Sequence, residues 1–373
     1  MQAAIFSPQW YTDEVYFKKE KTELFEKVWI YAGLKDSIKN SNEYFTLDLF
    51  GLNVVIHNLA GKIEAYLNVC PHRGGPLVLG GNGSGAPVCK YHGWSFRDGA
   101  DLTGVSNLSW FNADESKGSC RRQLKTYKVE IIGPVIFVFL GADPIDLTDQ
   151  YGDEVLSKLR SYGDVGPSIV SDFSSPLNWK LNMENVKDFL HPYYVHAESF
   201  KPLLGYEDKP VERIIKDSQV LPRRNKKVEI KELSFVQHGD LNVPFDKQWW
   251  AAYVEKTQPD NCYQNIFLFP NANFCSVSGG HYVIQQYLPV SPNQFTYRLT
   301  VALPKVVEKF EYKNLLCALL KIERDVIKED DLVLVKLQEN MRSTLPNEYY
   351  THGDYEAPIM DQMQYLKDTV YVE

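Results

Sequence analysis

The sequence predicts an α+β chain in which a small all-β domain precedes a larger domain that mixes strands with long helices. From about Asn42 to Leu140 the texture is one of short β-rich runs separated by glycine-bearing turns. Strand patterns resume between Phe235 and Leu303, and the segment from Lys313 to Met341, free of Gly and Pro, is the longest helical reading in the chain. At 373 residues the chain exceeds what one ordinary core organises, so two domains are expected. Its 44% hydrophobic and 24% charged residues exclude a disordered, collagenous or coiled-coil chain.

Taken in order, residues 12–30 place Phe17, Leu24, Phe25, Val28 and Trp29 on one helical stripe, with Thr12 as N-cap and Asp13 and Glu14 in the first turn. A helical segment 1–41 that packs on the larger domain is therefore expected. The runs Tyr44–Leu49, Asn53–His57, Ile63–Val69 and Val129–Leu140 make an all-β domain over 42–145. The larger domain, 146–373, opens with turn signals and a short helix. A strong helical segment follows at Asn182–Leu190, stopped by Pro192.

The 40 Lys and Arg against 48 Asp and Glu give a net charge of -8, the wrong sign for a protein that neutralises phosphates, so no nucleic-acid partner is expected. The start lacks a basic region followed by an apolar one, and the most apolar stretch, Val129 to Ala142, is too short to span a bilayer. A soluble, cytoplasmic protein without a membrane partner is the expectation. Cys120, Cys262, Cys275 and Cys317 have no companion at ligand spacing and read as structural.

Two constellations carry chemistry. In the β-domain stand Cys70-Pro-His72 and, after 16 intervening residues, Cys89-Lys-Tyr-His92. Zinc sites of this composition usually pair cysteine with cysteine and histidine with histidine; here the types alternate. The arrangement suits a 2Fe-2S cluster with two thiolates on one iron and two imidazoles on the other. Two ferric ions, two sulfides and two thiolates sum to zero charge, whereas four thiolates leave a dianion, so the mixed set accepts an electron more readily. The run Gly81-Asn-Gly83-Ser-Gly-Ala86 fits a dinucleotide fingerprint but has no strand before it or helix after it, and it is rejected.

The second constellation lies between Asn178 and His196. Asn185, Asp188 and His191 recur at i, i+3 and i+6, one face of a helix. His196 falls about 140° round an ideal helix from His191, so the two imidazoles share a metal only if the helix breaks, as Pro192 allows. Two histidines and a carboxylate form the facial triad of non-haem Fe(II) sites, which leaves positions open for other ligands. Of the acids Glu329, Asp330 and Asp331, Asp330 alone has only apolar helical neighbours in Val326, Ile327, Val333 and Leu334, so it points at the core and is the preferred third ligand.

These motifs resemble the Rieske family. The C-x-H and C-x2-H loops match with their flanks, although Lys90 replaces the more usual proline, and the extra cysteines of the membrane-anchored respiratory members are missing. Glu184-Asn185-Val-Lys-Asp188-Phe-Leu-His191-Pro-Tyr-Tyr-Val-His196 resembles the E-N-x-x-D-x-x-H-x4-H motif of Rieske non-haem iron oxygenases, and Glu329-Asp330 with Gln338 resembles their E-D-x7-Q segment. The resemblance implies a helix-grip catalytic domain, an antiparallel sheet with covering helices, behind the Rieske domain. It implies a 2Fe-2S cluster on Cys70, His72, Cys89 and His92 and a mononuclear Fe(II) on His191, His196 and Asp330. It also implies that Asp188, with Asn185 beside it, links the iron site to a cluster histidine of the neighbouring subunit.

Inserting one atom of dioxygen into a C–H bond consumes four electrons, two of them from the substrate. With no flavin or nicotinamide motif in the chain, a separate NAD(P)H-dependent reductase or ferredoxin is the expected partner. The resemblance implies a homotrimer, ahead of an assembly with a small second subunit. The expected reaction is hydroxylation or oxidative demethylation of a small aromatic or quaternary-amine substrate. The alternatives are the alpha subunit of a cis-dihydroxylating dioxygenase and a non-catalytic Rieske electron carrier. Tyr193, Tyr194, Trp249, Trp250 and Tyr253 could line a pocket for an aromatic ring or a quaternary ammonium group.

Overall fold

The N-terminal apolar stripe folds as three short pieces rather than one helix: Gln9–Thr12, Glu14–Lys19 and a wider π-turn at Glu20–Phe25. Asp13, not Thr12, caps the second piece, its carboxylate accepting from Val15 N at 2.8 Å, while Thr12 Oγ1 turns back to Pro8 O. The computed structural model describes residues 2–3, 7–97, 101–106, 123–196, 199, 227–240, 245–257, 262–306, 312–343 and 350–372. Cys120, read above as structural, lies outside them.

The first sheet has seven antiparallel strands in the order Trp29–Leu34, Val135–Phe139, Thr126–Ile132, Lys62–Leu67, Leu52–Leu59, Glu43–Leu49 and Asn82–Ser84. The expected boundary at 42 is thus too late: Trp29, placed on the helical stripe, begins a strand that pairs with Val135–Phe139. The expected single run Val129–Leu140 is two strands turning at Gly133-Pro134. Two hairpins turn on Phe50-Gly51 and Ala60-Gly61, all four residues at positive φ, where the glycine relieves what a second side chain would suffer. The rejected glycine run supplies only the edge strand Asn82–Ser84.

The second sheet is antiparallel throughout, in the order Ser168–Ser175, Gln294–Ala302, His281–Ser291, Ala272–Val277, Cys262–Leu268 and Val236–Asp240. The long helix Tyr312–Met341 packs on its Ser168–Ser175 and Gln294–Ala302 side. Ile327, Leu334, Gln338 and Met341 are buried on the helix's inner face, whereas Val333 is 48% exposed. One of the four apolar neighbours used to orient Asp330 therefore faces solvent. A C-terminal helix, Ala357–Thr369, completes the layer. Among the described residues no helix is long and apolar enough to cross a membrane.

The two sheets are joined by buried polar groups as well as by apolar packing. Tyr31 exchanges two hydrogen bonds with the Asn271 side chain (3.0 and 3.1 Å), and Phe50 N donates to Pro289 O at 2.8 Å. Buried Glu20 accepts from Lys180 Nζ (2.5 Å), Trp179 Nε1 (2.7 Å) and Tyr371 OH (2.6 Å), so it ties the N-terminal segment to both the motif helix and the C-terminus. Such a pair offsets its desolvation only because both carboxylate oxygens are hydrogen-bonded.

Candidate metal centres

The Rieske-type loops are positioned by their own backbones. Cys70 N donates to Gly75 O (2.8 Å) and Gly74 N back to Cys70 O (2.9 Å). In the second loop Cys89 N donates to Trp94 O (2.7 Å) and Gly93 N to Cys89 O (2.9 Å). Lys90 N to Pro76 O (2.8 Å) joins the two loops. Both cysteines are buried, and their thiols face each other closely enough that burial, with Cys89 beside it, pushes the Cys70 thiol up to about 11. The His72 and His92 rings meet at 4.7 Å, with His72 stacked on Trp94 at 4.8 Å. His92 Nδ1 is buried without a hydrogen-bond partner. Two adjacent thiols and an orphaned imidazole nitrogen are the donor set that a mixed-ligand iron–sulfur cluster would satisfy.

The second centre is assembled from separate segments. Asn178 caps the helix Trp179–Asn185, its side chain accepting from Lys180 N at 3.1 Å. The expected helix to Leu190 does not form. The chain unwinds after Asn185, and Asp188 Oδ1 accepts from Leu190 N (2.8 Å) and His191 N (3.3 Å). Pro192 then sits in the first turn of a new short helix, His191–Tyr194, so it starts a helix rather than stopping one. That restart brings His196 round to His191, their ring centroids 5.2 Å apart.

Asp330 meets both histidines: Oδ1 is 3.6 Å from His191 Nε2 and 3.0 Å from His196 Nε2, and donor atoms of the three residues lie within 4.8 Å of one another. Asp330 Oδ1 is buried, and the 3.0 Å approach lacks hydrogen-bond geometry, as expected of two ligands that would share a metal ion. Asn185 Nδ2 stands 3.4 Å from His191 Nε2, beside the same space.

The groups behind the ligands fix their tautomers. His191 Nδ1 donates to the backbone carbonyl of Asp188 at 2.7 Å, so that Nε2 faces Asp330. The Asp188 carboxylate, expected beside the His191 ring, is occupied instead with the two backbone N–H groups. His196 Nδ1 lies 2.8 Å from Glu329 Oε2, which also accepts from Ser199 Oγ. Glu329, expected only as a rival ligand, thus stands behind one, and its place next to Asp330 in the sequence is the signal for that supporting role. Burial depresses the pKa of His191, which favours the neutral, ligating form. At His196 burial acts the same way, but Asp330 and Glu329 outweigh it and raise the pKa. Gln338 Oε1 accepts from Asn178 N (2.5 Å), which anchors the long helix to the cap of the motif helix.

The proposed aromatic pocket does not assemble. Trp249 and Tyr194 are 69% and 66% exposed, and Trp250 is buried in a separate cluster with Phe245, Leu303 and Leu315. The rings near the metal centre come from the sheet: Tyr287 and Tyr297 both feel the charge of Asp330. Cys275 is buried as expected of a structural residue, while Cys317 is exposed on the long helix.

Two family descriptions match the chain, Rieske [2Fe-2S] domain over residues 28–112 and Ring hydroxylating alpha subunit (catalytic domain) over 163–368. The chain belongs to the ring-hydroxylating alpha-subunit family. As a Rieske oxygenase it is an oxidoreductase that carries a Rieske 2Fe-2S cluster and a mononuclear iron. The carnitine monooxygenase oxygenase subunit of Escherichia coli K12 is 24% identical over 348 residues, 90% of this chain and 83% of that one. The chloroplastic choline monooxygenase of Amaranthus tricolor is 30% identical over 51% of this chain and 46% of its own length. Among solved structures, a quaternary ammonium Rieske monooxygenase in complex with L-carnitine superposes with a TM-score of 0.72 at 19% identity, over 98% of this chain and 95% of that one. Naphthalene 1,2-dioxygenase from a Rhodococcus species gives 0.70 at 15% identity, over 98% and 94%.

Proposed function

We propose that this Rieske oxygenase hydroxylates or oxidatively demethylates a small quaternary amine, with electrons delivered by a separate NAD(P)H-dependent reductase or ferredoxin. The observation that carries the oxygenase reading is the meeting of His191, His196 and Asp330 in one half-buried space, with Glu329 and the Asp188 carbonyl setting both imidazole tautomers. The substrate class is supported by relatives named for carnitine, choline and glycine betaine. When bound, the cluster on Cys70, His72, Cys89 and His92 supplies single electrons, and the mononuclear iron a centre for dioxygen activation. The chain's own part is to hold the Nδ1 protons away from the metal side and to keep that space between sheet and helix apart from bulk water.

A homotrimer in the cytoplasm fits this reading, with Asp188 at the surface between one protomer's iron histidine and its neighbour's cluster. The test is incubation of the reduced holoenzyme with each quaternary amine under isotopically labelled dioxygen. One labelled atom is expected, in a hydroxylated product or in the formaldehyde released on demethylation. Two atoms in a cis-diol of an aromatic ring would replace this reading with the dioxygenase one, and oxygen-independent electron transfer alone would replace it with the electron carrier.

A further inference from the structure

The face of the second sheet that the long helix covers carries polar side chains where an apolar floor is expected. Residues paired across strands share a face, and so do residues two apart on one strand. Asn265 pairs with Cys275, Asn273 lies two residues before Cys275 and pairs with Gln285, and Tyr287 follows Gln285 by two and pairs with Tyr297. All of these therefore stand on one face. Contacts run from it to the helix: the Arg324 guanidinium lies 4.9 Å from the Phe173 ring, Phe173 stacks on Tyr297 at 4.9 Å, and Tyr297 meets Tyr287 at 5.4 Å. Cys275, Tyr287 and Tyr297 also share one apolar cluster with Ile327 and Leu334, three residues before Asp330 and four after it. Asn265 and Asn273 are each 2% exposed, and both Oδ1 atoms are buried with no hydrogen-bond partner. Gln285, in the middle of a central strand, is only half-buried, so the layer above the sheet does not close over it. Its Oε1 accepts from Tyr287 OH at 3.0 Å, which leaves its amide nitrogen to donate.

We infer that Asn265, Asn273 and Gln285 recognise a hydroxyl group of the substrate in the space between this sheet and the metal centre. The inference rests on the quaternary-amine reading above and narrows it to amines that carry an alcohol. A buried carbonyl oxygen without a donor is destabilising, so two of them on neighbouring strands point to a ligand that brings one. A hydroxyl donates to an asparagine oxygen and accepts from the Gln285 amide nitrogen at the same time. A carboxylate only accepts, and two carbonyl oxygens repel it. A trimethylammonium group has no proton to give, so it leaves both oxygens unsatisfied. A floor built this way selects the alcohol by rejecting the analogue that lacks it.

Calorimetric titration of the metal-loaded enzyme tests this with two pairs that differ only in the hydroxyl, choline against ethyltrimethylammonium and L-carnitine against γ-butyrobetaine. The wild type is expected to prefer the alcohol of at least one pair by about 10- to 100-fold. In Asn265→Leu and Asn273→Leu, which remove the acceptor, that preference collapses, while the compound without the hydroxyl binds as before and the iron content and cluster spectrum are unchanged. Asn273→Asp keeps an acceptor at the same place and retains the preference. A wild type with no preference for either alcohol overturns the inference, and so does a preference that survives both leucine variants. An Asn273→Asp variant as indifferent as Asn273→Leu would mark the side chain as structural and also overturn it. Tighter binding of glycine betaine than of choline would mean that the amides turn their nitrogens to a carboxylate, which overturns the hydroxyl assignment. The neutral isostere of choline, with a tert-butyl group in place of trimethylammonium, separates the two readings. Binding equal to that of choline removes the quaternary-amine reading and leaves the hydroxyl preference standing.

Discussion

Around Cys70 and Cys89 the backbone places the ligands, through two short loops whose N–H and C=O groups close on themselves and on each other. Around His191 and His196 the candidate ligands come from two distant segments, and what fixes each ring is a single group behind it, the Asp188 carbonyl in one case and the Glu329 carboxylate in the other. The first site is local in sequence and insensitive to distant side chains. The second exists only when the motif segment and the long helix are docked, which Gln338 and the buried Glu20 network secure. The two should therefore fail independently.

The largest effects break one site and spare the other. Cys70→Ala or His92→Ala should abolish turnover and remove the cluster's visible absorption and rhombic EPR signal while the mononuclear iron still binds. His191→Ala or Asp330→Ala should abolish turnover with the cluster spectrum intact and the mononuclear iron lost. Metal analysis alongside EPR checks both, and simultaneous loss of both metals in any one variant would contradict the claimed independence.

Asp188→Asn comes next. The side chain's contact to the Leu190 and His191 N–H groups can be kept by the amide oxygen, and the carbonyl that orients His191 is untouched. Iron should stay bound, yet reoxidation of the reduced cluster should slow by orders of magnitude because the charge between the centres is gone. Iron lost in proportion to activity would instead make Asp188 a support of the loop. Stopped-flow spectroscopy with iron analysis separates the two.

The same contrast explains what could be read in the sequence. The meeting of the Cys70–His72 and Cys89–His92 loops was legible because a loop site is encoded in contiguous spacing. The long helix and most strands were legible from periodicity. The path of the motif segment was not: the helix was carried to Leu190 because its polar residues fit a helical face, whereas the side chain of Asp188 competes for backbone N–H groups and restarts the helix at His191. Trp29 was assigned to the helical stripe because strand and helix look alike over a short apolar run. Glu329 and the sheet tyrosines depend on which strands face the helix, information that no local pattern holds.

Glu329→Gln should have a smaller effect than loss of a ligand. The amide can still accept from His196 Nδ1, but the charge that holds the imidazole's proton there is lost. Affinity for the mononuclear iron should fall by roughly 10- to 100-fold, as for other changes behind a metal ligand, with the cluster unaffected. Iron titration of the apoprotein gives the number. An unchanged affinity would mean that the ring is held by packing and that the second site does not depend on the carboxylate behind it.

The smallest predicted effect probes the backbone-built site in the same way. A methyl group added at Gly75 would lie 2.9 Å from Cys89 Sγ and 2.9 Å from Tyr91 Cβ, too close for either, so the second loop must shift. The Cys70 N to Gly75 O bond ties the first loop to the same position, so the displacement reaches both cysteines. Gly75→Ala should therefore still fold and still bind mononuclear iron normally. Its cluster should assemble less completely or show shifted EPR g-values, with activity per cluster reduced only a few-fold. A cluster identical to the wild type's would show that the loops yield freely, and the backbone could not then be what fixes the ligand geometry. Equal loss of the mononuclear iron would show that the two sites are coupled through the fold after all.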